Sequence, residues 1–375
     1  MPLQAVVIGA GVVGAALAAE LVDRGANVTL LDAGTPGRGT SSATFAWVNS
    51  NDKEPEAYHQ LNVAGMQAHQ RAARQWSGGD WYHPGGNVEW QVDDDARAGL
   101  ERKVERLRGL GYQAEWLSRA EVAAREPDLA TDRLPADGFA VFDDEAWVDV
   151  PVLIGALLER VRSGGGEVVH AAHAEAIDDA DGHPTVVTGA RRLTADVVVN
   201  CAGPDAANVA TLAGVHLPIR EVPGLIVSSE PAVVRLRGML HTPRVNVRPE
   251  GGGRLMLHST DADAGVGAGY TARRSSVEAL LDAAAHVLPA ASGLGAESVR
   301  VGVRPVPADG LPLLGPAPGV AGLYHVVTHS GVTLSLHLAT VVADHLLTDR
   351  EPDDYALYRL DEARLAQAAS GSGEA

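Results

Sequence analysis

The sequence predicts an α/β fold in two interleaved parts, one on a parallel sheet broken up by long insertions, the other on an antiparallel sheet. Three observations predict it. Two apolar, β-branched runs, "QAVVIGAG" and "ANVTLLDAG", flank a Gly-x-Gly-x-x-Gly turn and an alanine-rich stretch, as in a buried βαβ unit. Further strand–turn–helix pieces recur only far downstream, in "ADVVVNCAGPDAANVATLAG" and "GLYHVVTHSGVTLSLHLATVVADHLL". Between them, from about Arg220 to Leu257, short runs alternate apolar and polar, the pattern of antiparallel strands.

In chain order, Gln4 to Asp32 reads strand, glycine turn, helix, strand, with Gly25 placed to end the helix. A Gly/Ser/Thr loop, "TPGRGTSSATFAWVNSN", leads to a helix from about Glu54 through Gln75. The stretch from Trp81 to Ser118 predicts short strands around an exposed, charged helix. "VPVLIGALLERVRSGGGEVV" predicts a helix feeding a strand, and a helix is expected near Ser275 to Val287. The last ten residues are polar and small and predict a disordered tail.

Composition narrows the function classes. The chain has 375 residues, too many for one ordinary core, with 46% hydrophobic and 21% charged residues and a formal charge of -18. Net acidity without a basic run argues against nucleic acid. No charge-free apolar span of about 18 residues argues for a membrane, and a first strand that begins at once favours the cytosol. The single cysteine, Cys201, allows no intrachain disulfide and disfavours a cysteine-held metal. Nearly all the cations are arginine; the lysines are Lys53 and Lys103.

Gly9, Gly11 and Gly14 form the glycine fingerprint in its required context, after a strand and opening a helix, with Asp32 ending the next strand. Gly9 serves the tight turn, Gly11 lets backbone approach a pyrophosphate, and Gly14 permits close helix–strand packing. The helix N-terminus stabilises the negative charge. Asp32 would accept from a ribose hydroxyl and repel a 2′-phosphate, which disfavours NADP and leaves FAD or NAD. The Ser/Thr loop after Asp32, and the distance to the remaining α/β pieces, favour FAD.

With "VVIGAGVVGAALAAEL", "GTSSATFAW", "DVVVNCAGPDA", "RPVPADGLPLLGP" and "GLYHVVTHSGVTLSLHLATVVADHL" in this order, nearly the whole chain resembles the FAD-dependent D-amino acid oxidase, glycine oxidase and sarcosine oxidase superfamily. The resemblance implies a discontinuous, Rossmann-like FAD-binding domain (residues 1–80, 145–219 and 301–365). It also implies an α+β substrate domain with an antiparallel sheet (81–144 and 220–300), and leaves 366–375 as the tail. It implies that Gly9, Gly11, Gly14 and Asp32 hold the ADP half, Ser41 and Ser42 the pyrophosphate and ribityl side, and the Ala174 backbone the adenine. Cys201 and Gly203 would lie beside the cofactor. Family members that bind flavin covalently use a cysteine near the position of Gly302, so non-covalent FAD is expected.

At the flavin end, Gly331, Val332 and Thr333 open a helix whose N–H groups and dipole would stabilise negative charge on the reduced ring. The candidate catalytic residues are Arg304, His329 and His258. By the resemblance, Arg304 grips a substrate carboxylate, for which a planar guanidinium offers a bidentate fork; by itself it would pair with Asp309 or another carboxylate. His329 and His258 otherwise serve packing or local hydrogen bonds, and Tyr270 is a weaker pocket candidate. Asn49 and Thr333 stand near positions where the sarcosine branch carries basic residues, and "GGRLMLHST" offers Arg254 and His258 but no lysine. The expected activity is oxidation of the C–N bond of an amino acid or secondary amine bearing a carboxylate. Hydride passes to flavin, the imine is hydrolysed, and oxygen is reduced to hydrogen peroxide. A dehydrogenase with another acceptor and an NAD-binding oxidoreductase are the alternatives.

Overall fold

The computed structural model describes residues 1–76, 80–134, 138–180, 182–189, 191–350, 353–361 and 364–365. The expected tail, 366–375, lies outside them. The first unit forms as the pattern requires: β1 (Gln4–Ile8), α1 (Val12–Asp23) and β2 (Asn27–Leu31). The helix stops two residues before Gly25, whose φ of 86° turns the chain into β2. Alanines dominate α1 because it is sandwiched: Ala15, Ala16, Ala18 and Ala19 are all buried. It packs on both the Val150–Ser163 and Gly331–Thr348 helices.

A six-stranded sheet runs Leu313–Pro316, Leu323–Val327, Val197–Asn200, β1, β2, Glu167–Val169. All neighbours are parallel except the first pair. The three central strands therefore end on one edge, and their carboxyl ends open into the site. The expected helix from Glu54 begins at Glu56, with Pro55 as its N-cap residue.

The antiparallel region is larger than the alternation suggested. An eight-stranded sheet runs Ala296–Pro307, Ile219–Ser229, Arg254–His258, Asn246–Glu250, Met239–His241, Asn87–Glu89, Phe139–Phe142, Glu115–Leu117. Its inner face is apolar: Leu225, Val227, Val247, Leu255 and Leu257 are buried against Leu280 and Ala284 of the Arg274–Val287 helix. Arg304 lies on the outermost strand, opposite Val222. An edge strand tolerates Pro305 and Pro307 because a missing N–H costs little there. This strand runs unbroken through residue 301, where a domain boundary was expected.

Among the described residues one helix, Gly331–Thr348, is long and apolar enough to cross a membrane. Here it is a core helix: Leu334, Leu338, Ala339, Val342 and Ala343 are buried, and it packs on α1 and the Glu56–Gln75 helix.

Candidate functional site

A single cavity of about 950 Å³ follows the carboxyl ends of the parallel strands from α1 to the Gly331–Thr348 helix, and the eight-stranded sheet closes its far side. At the α1 end, Gly9 has φ 101° and donates its N–H to the Leu31 carbonyl at 2.8 Å. A Cβ there would stand 2.5 Å from the Cys201 carbonyl oxygen, and one at Gly14 would stand 1.9 Å from the Gly9 carbonyl. No side chain fits at either place. Gly14 does not line the cavity; it lets α1 close onto the turn.

Asp32 lines the cavity but is already at work. Its Oδ2 accepts from Ala10 N–H and its Oδ1 from Gly34 N–H, each at 2.8 Å. The carboxylate thus fixes the glycine turn and offers its remaining lone pairs to a ligand. Ser41 Oγ accepts from Val12 N–H at 3.0 Å, at the mouth of α1. Ser42 departs from the expectation that placed it beside Ser41. Its hydroxyl turns away, donating to the carbonyls of Arg38 and Gly39, because the short Thr40–Ser42 turn folds it back on the chain. Ala174, Cys201 and Gly203 all line the cavity. Burial pushes the Cys201 thiol far above its usual range, so it acts as a small apolar filler.

At the other end, Ser330, Gly331, Val332 and Thr333 present the first turn of the last long helix. Those N–H groups lack intrahelical acceptors by geometry, and no side chain caps them. Two helix N-termini thus serve one cavity, and both favour negative charge. Thr333 Oγ1 donates to the Trp47 carbonyl at 3.2 Å and receives Asn49 N–H at 3.4 Å. Asn49 is buried, lines the cavity, and leaves its Oδ1 without a partner.

Arg304 faces the cavity between these ends. Its Nη2 donates to Asp263 Oδ2 at 2.7 Å and to the Pro223 carbonyl at 2.8 Å, and its Nε to the Val222 carbonyl at 3.3 Å. Asp309, the partner first considered, instead pairs with Arg364 at 2.8 Å. The Nε–Nη2 edge is therefore consumed, so the expected bidentate fork gives way to a single open nitrogen, Nη1. His258 also lines the cavity, its Nε2 3.1 Å from the same Asp263 Oδ2. Burial would raise the Asp263 pKa, but the hydrogen bond and charge of His258, Leu225 N–H and Arg304 hold it below the ordinary value.

His329 lines the cavity with an exposed side chain. Burial, Lys53 and Arg304 together push its imidazole down to about 4, so it is neutral near pH 7. Tyr270 lies off the cavity, exposed and bonded to Glu221. Arg254 is also outside, paired with Glu297 at 2.6 Å.

Four residues in or behind the cavity wall escaped the sequence. Lys53 lines the cavity, and burial lowers its pKa; the available signal was that it is one of two lysines, four positions past Asn49. Trp47 and His241 stack at 3.9 Å within the cavity wall. Glu145, wholly buried, accepts from Trp47 Nε1 at 2.8 Å and Tyr112 Oη at 2.9 Å and so fixes the indole. Nothing local in "DDEAWVD" distinguishes it from its acidic neighbours. Among the described residues, no group of three or more His, Cys, Asp or Glu could hold a metal ion.

The cavity suits an elongated dinucleotide: a glycine cradle, an acidic acceptor, a helix N-terminus at each end, and an orphaned acceptor on Asn49. A family model described as FAD dependent oxidoreductase (DAO) matches residues 4–345. Glycine oxidase of Geobacillus kaustophilus is 28% identical over 90% of this chain and 91% of that protein. Hydrogen cyanide synthase subunit HcnC of Pseudomonas protegens is 27% identical over 68% of this chain and 61% of that one. The solved G. kaustophilus glycine oxidase superposes with a TM-score of 0.85 at 24% identity, covering 96% and 99% of the two chains. The L-amino acid deaminase of Proteus vulgaris gives 0.84 at 19%, covering 96% and 94%.

Proposed function

The chain belongs to the FAD dependent oxidoreductase family, and from that premise we propose that it oxidises the C–N bond of a carboxylate-bearing amino acid or amine, with oxygen as final acceptor. It is an FAD-dependent amino acid or amine oxidoreductase; substrate and acceptor are what the proposal adds. The observation that carries it is Arg304, which lines the cavity together with His329 and the Gly331–Thr333 turn and whose Nη1, among the described residues, makes no hydrogen bond while Nε and Nη2 are bonded.

Bound FAD supplies the two-electron acceptor. Gly9, Gly11, Asp32 and Ser41 would hold its ADP and pyrophosphate, Ala174, Cys201 and Gly203 would line its path, and Gly331, Val332 and Thr333 would meet the ring. Non-covalent attachment is supported by Gly302, where a Cβ would lie 2.2 Å from the Ala43 carbonyl oxygen, leaving no room for a cysteine. The six-stranded sheet would then form the FAD domain (1–80, 145–219 and 301–365, less the strand ending at Pro307). The eight-stranded sheet would form the substrate domain.

The substrate loses two electrons and two protons as its C–N bond becomes C=N. Water then releases the keto acid or aldehyde, and oxygen becomes hydrogen peroxide. Arg304 anchors the carboxylate through Nη1, which fixes the α-carbon by orientation. The cations that depress His329 act equally on a bound ammonium, favouring loss of its proton and exposing the nitrogen lone pair. Neutral His329 offers an acceptor for that N–H. His258, bound to Asp263, sets the position of the carboxylate that steadies Arg304.

The test is anaerobic bleaching of the bound flavin by a panel of D-, L- and N-substituted amino acids, followed by a peroxide assay in air. Bleaching by one class with stoichiometric peroxide supports the proposal. Bleaching without peroxide would transfer the electrons to another acceptor, and normal carboxylate affinity in Arg304→Ala would remove the clamp.

A further inference from the structure

Two cations, Lys53 and Arg304, line this cavity together with His329. Arg304 is half neutralised by Asp263 and keeps Nη1 open. Lys53 is different. Its ammonium has no hydrogen bond and no ion pair among the described residues. The adjacent carboxylate, Asp52, turns instead to Lys103 at 3.3 Å, and Lys103 also holds Glu89 at 2.7 Å. Both Lys53 and Arg304 line the cavity with His329, and both act electrostatically on its ring. Asp52 and Glu145 act on this ammonium only at longer range; partly withdrawn from water with no direct carboxylate partner, it is costly, in a chain whose formal charge is -18. An anionic ligand group removes that cost.

We propose that Lys53 is a second anion anchor, and that the substrate is a dicarboxylic amine with one carboxylate on Arg304 and the other on Lys53. This rests on the Arg304 clamp above and deepens it by naming the substrate class. The amine would lie between the anchors, beside neutral His329. The second carboxylate comes either from a side chain, as in an acidic amino acid, or from an N-linked carboxyalkyl group, as in an iminodiacid. A compact point charge with three rotatable donors suits lysine to the end of the substrate whose position is least constrained.

The test uses the FAD-loaded protein and ligands that carry no amine, so that binding is read apart from turnover. Glutarate and butyrate, of similar length, are titrated anaerobically against the flavin absorption spectrum. Wild type is expected to bind glutarate at least tenfold more tightly. Lys53→Met should lose that preference while keeping butyrate affinity, and Lys53→Arg should retain most of it. Arg304→Met should weaken both ligands. Equal glutarate preference in Lys53→Met and wild type overturns the second anchor. That result together with slowed reoxidation by oxygen, or with weaker FAD binding in a fluorescence titration, would assign Lys53 to oxygen or to the cofactor. Unchanged butyrate affinity in Arg304→Met overturns the clamp instead, so the two failures are separable. Flavin reduction by aspartate or glutamate, set against iminodiacetate, then distinguishes the source of the second carboxylate, and preference for glycine or alanine over all of these overturns the assignment.

Discussion

Arg304 Nη2 donates to Asp263 Oδ2 at 2.7 Å, and the same oxygen lies 3.1 Å from His258 Nε2. Asp263 therefore holds two cavity side chains at once, and its other oxygen accepts Leu225 N–H at 2.7 Å. It is the keystone of the substrate wall.

Asp263→Asn should destabilise the protein at pH 7 by about 2 kcal/mol, below the roughly 3–5 kcal/mol of a fully buried pair because Arg304 remains partly open. Asp263 is held below its ordinary value of 3.8. The stability it contributes is thus complete above that value and lost as pH falls through the lower native one. Urea unfolding from pH 7 to pH 2.5 should show the gap between wild type and variant closing only at the acid end.

Glu145 has the opposite sign. Burial pushes its carboxyl up to about 8 from an ordinary 4.5, against hydrogen bonds from Tyr112 and Trp47. The carboxyl therefore stays protonated at pH 7, while its oxygens accept from Tyr112 Oη at 2.9 Å and Trp47 Nε1 at 2.8 Å. The folded state then binds more protons than the unfolded state between about 4.5 and 8, and stability falls as pH rises through that window. Glu145→Gln should flatten this fall, by at most about 5 kcal/mol over the window, in melting curves recorded from pH 5 to pH 9.

At Gly302, any Cβ meets the Ala43 carbonyl oxygen at 2.2 Å. Gly302→Cys should give no protein-bound flavin after denaturation, and FAD occupancy after purification should drop with it, since the clash displaces the loop that lines the cavity. Overpacking of this kind costs about 1–3 kcal/mol or more.

Cys201 should resist thiol reagents in the folded protein at pH 8 and react once it is unfolded, because burial suppresses its thiolate. Cys201→Ser should keep the flavin spectrum. Fast labelling of the native state would contradict its place behind the glycine turn.

The parallel-sheet half was legible because its signals are local. Gly9, Gly14 and Asp32 sit within one βαβ unit, where Gly14 closes on the Gly9 carbonyl and Asp32 accepts from Ala10 N–H. The substrate side was legible only in part. Arg304 stood out in its sequence, but Asp263 is 41 residues distant and meets it only because the short Thr260–Ala264 helix packs on the Ile219–Ser229 strand that pairs with the strand of Arg304. Lys53 carries no motif; its meaning comes from lining one cavity with Arg304 and His329. Ser42 shows the reverse error, in which a residue adjacent to a true lining position is turned away by a single tight turn.

The strand order has a further meaning during synthesis. Of the strands whose ends open on the cavity, three begin at residues 4, 197 and 323, and the helix N-terminus at its far end begins at Gly331. A nascent chain thus carries β1 without its neighbour Val197–Asn200 for most of translation, and the cradle at Gly9 leads nowhere until Thr333 has emerged. The complete cavity is therefore available only to a nearly finished polypeptide. Truncation before Gly331 would remove the ring end of the site while sparing every residue of the glycine fingerprint.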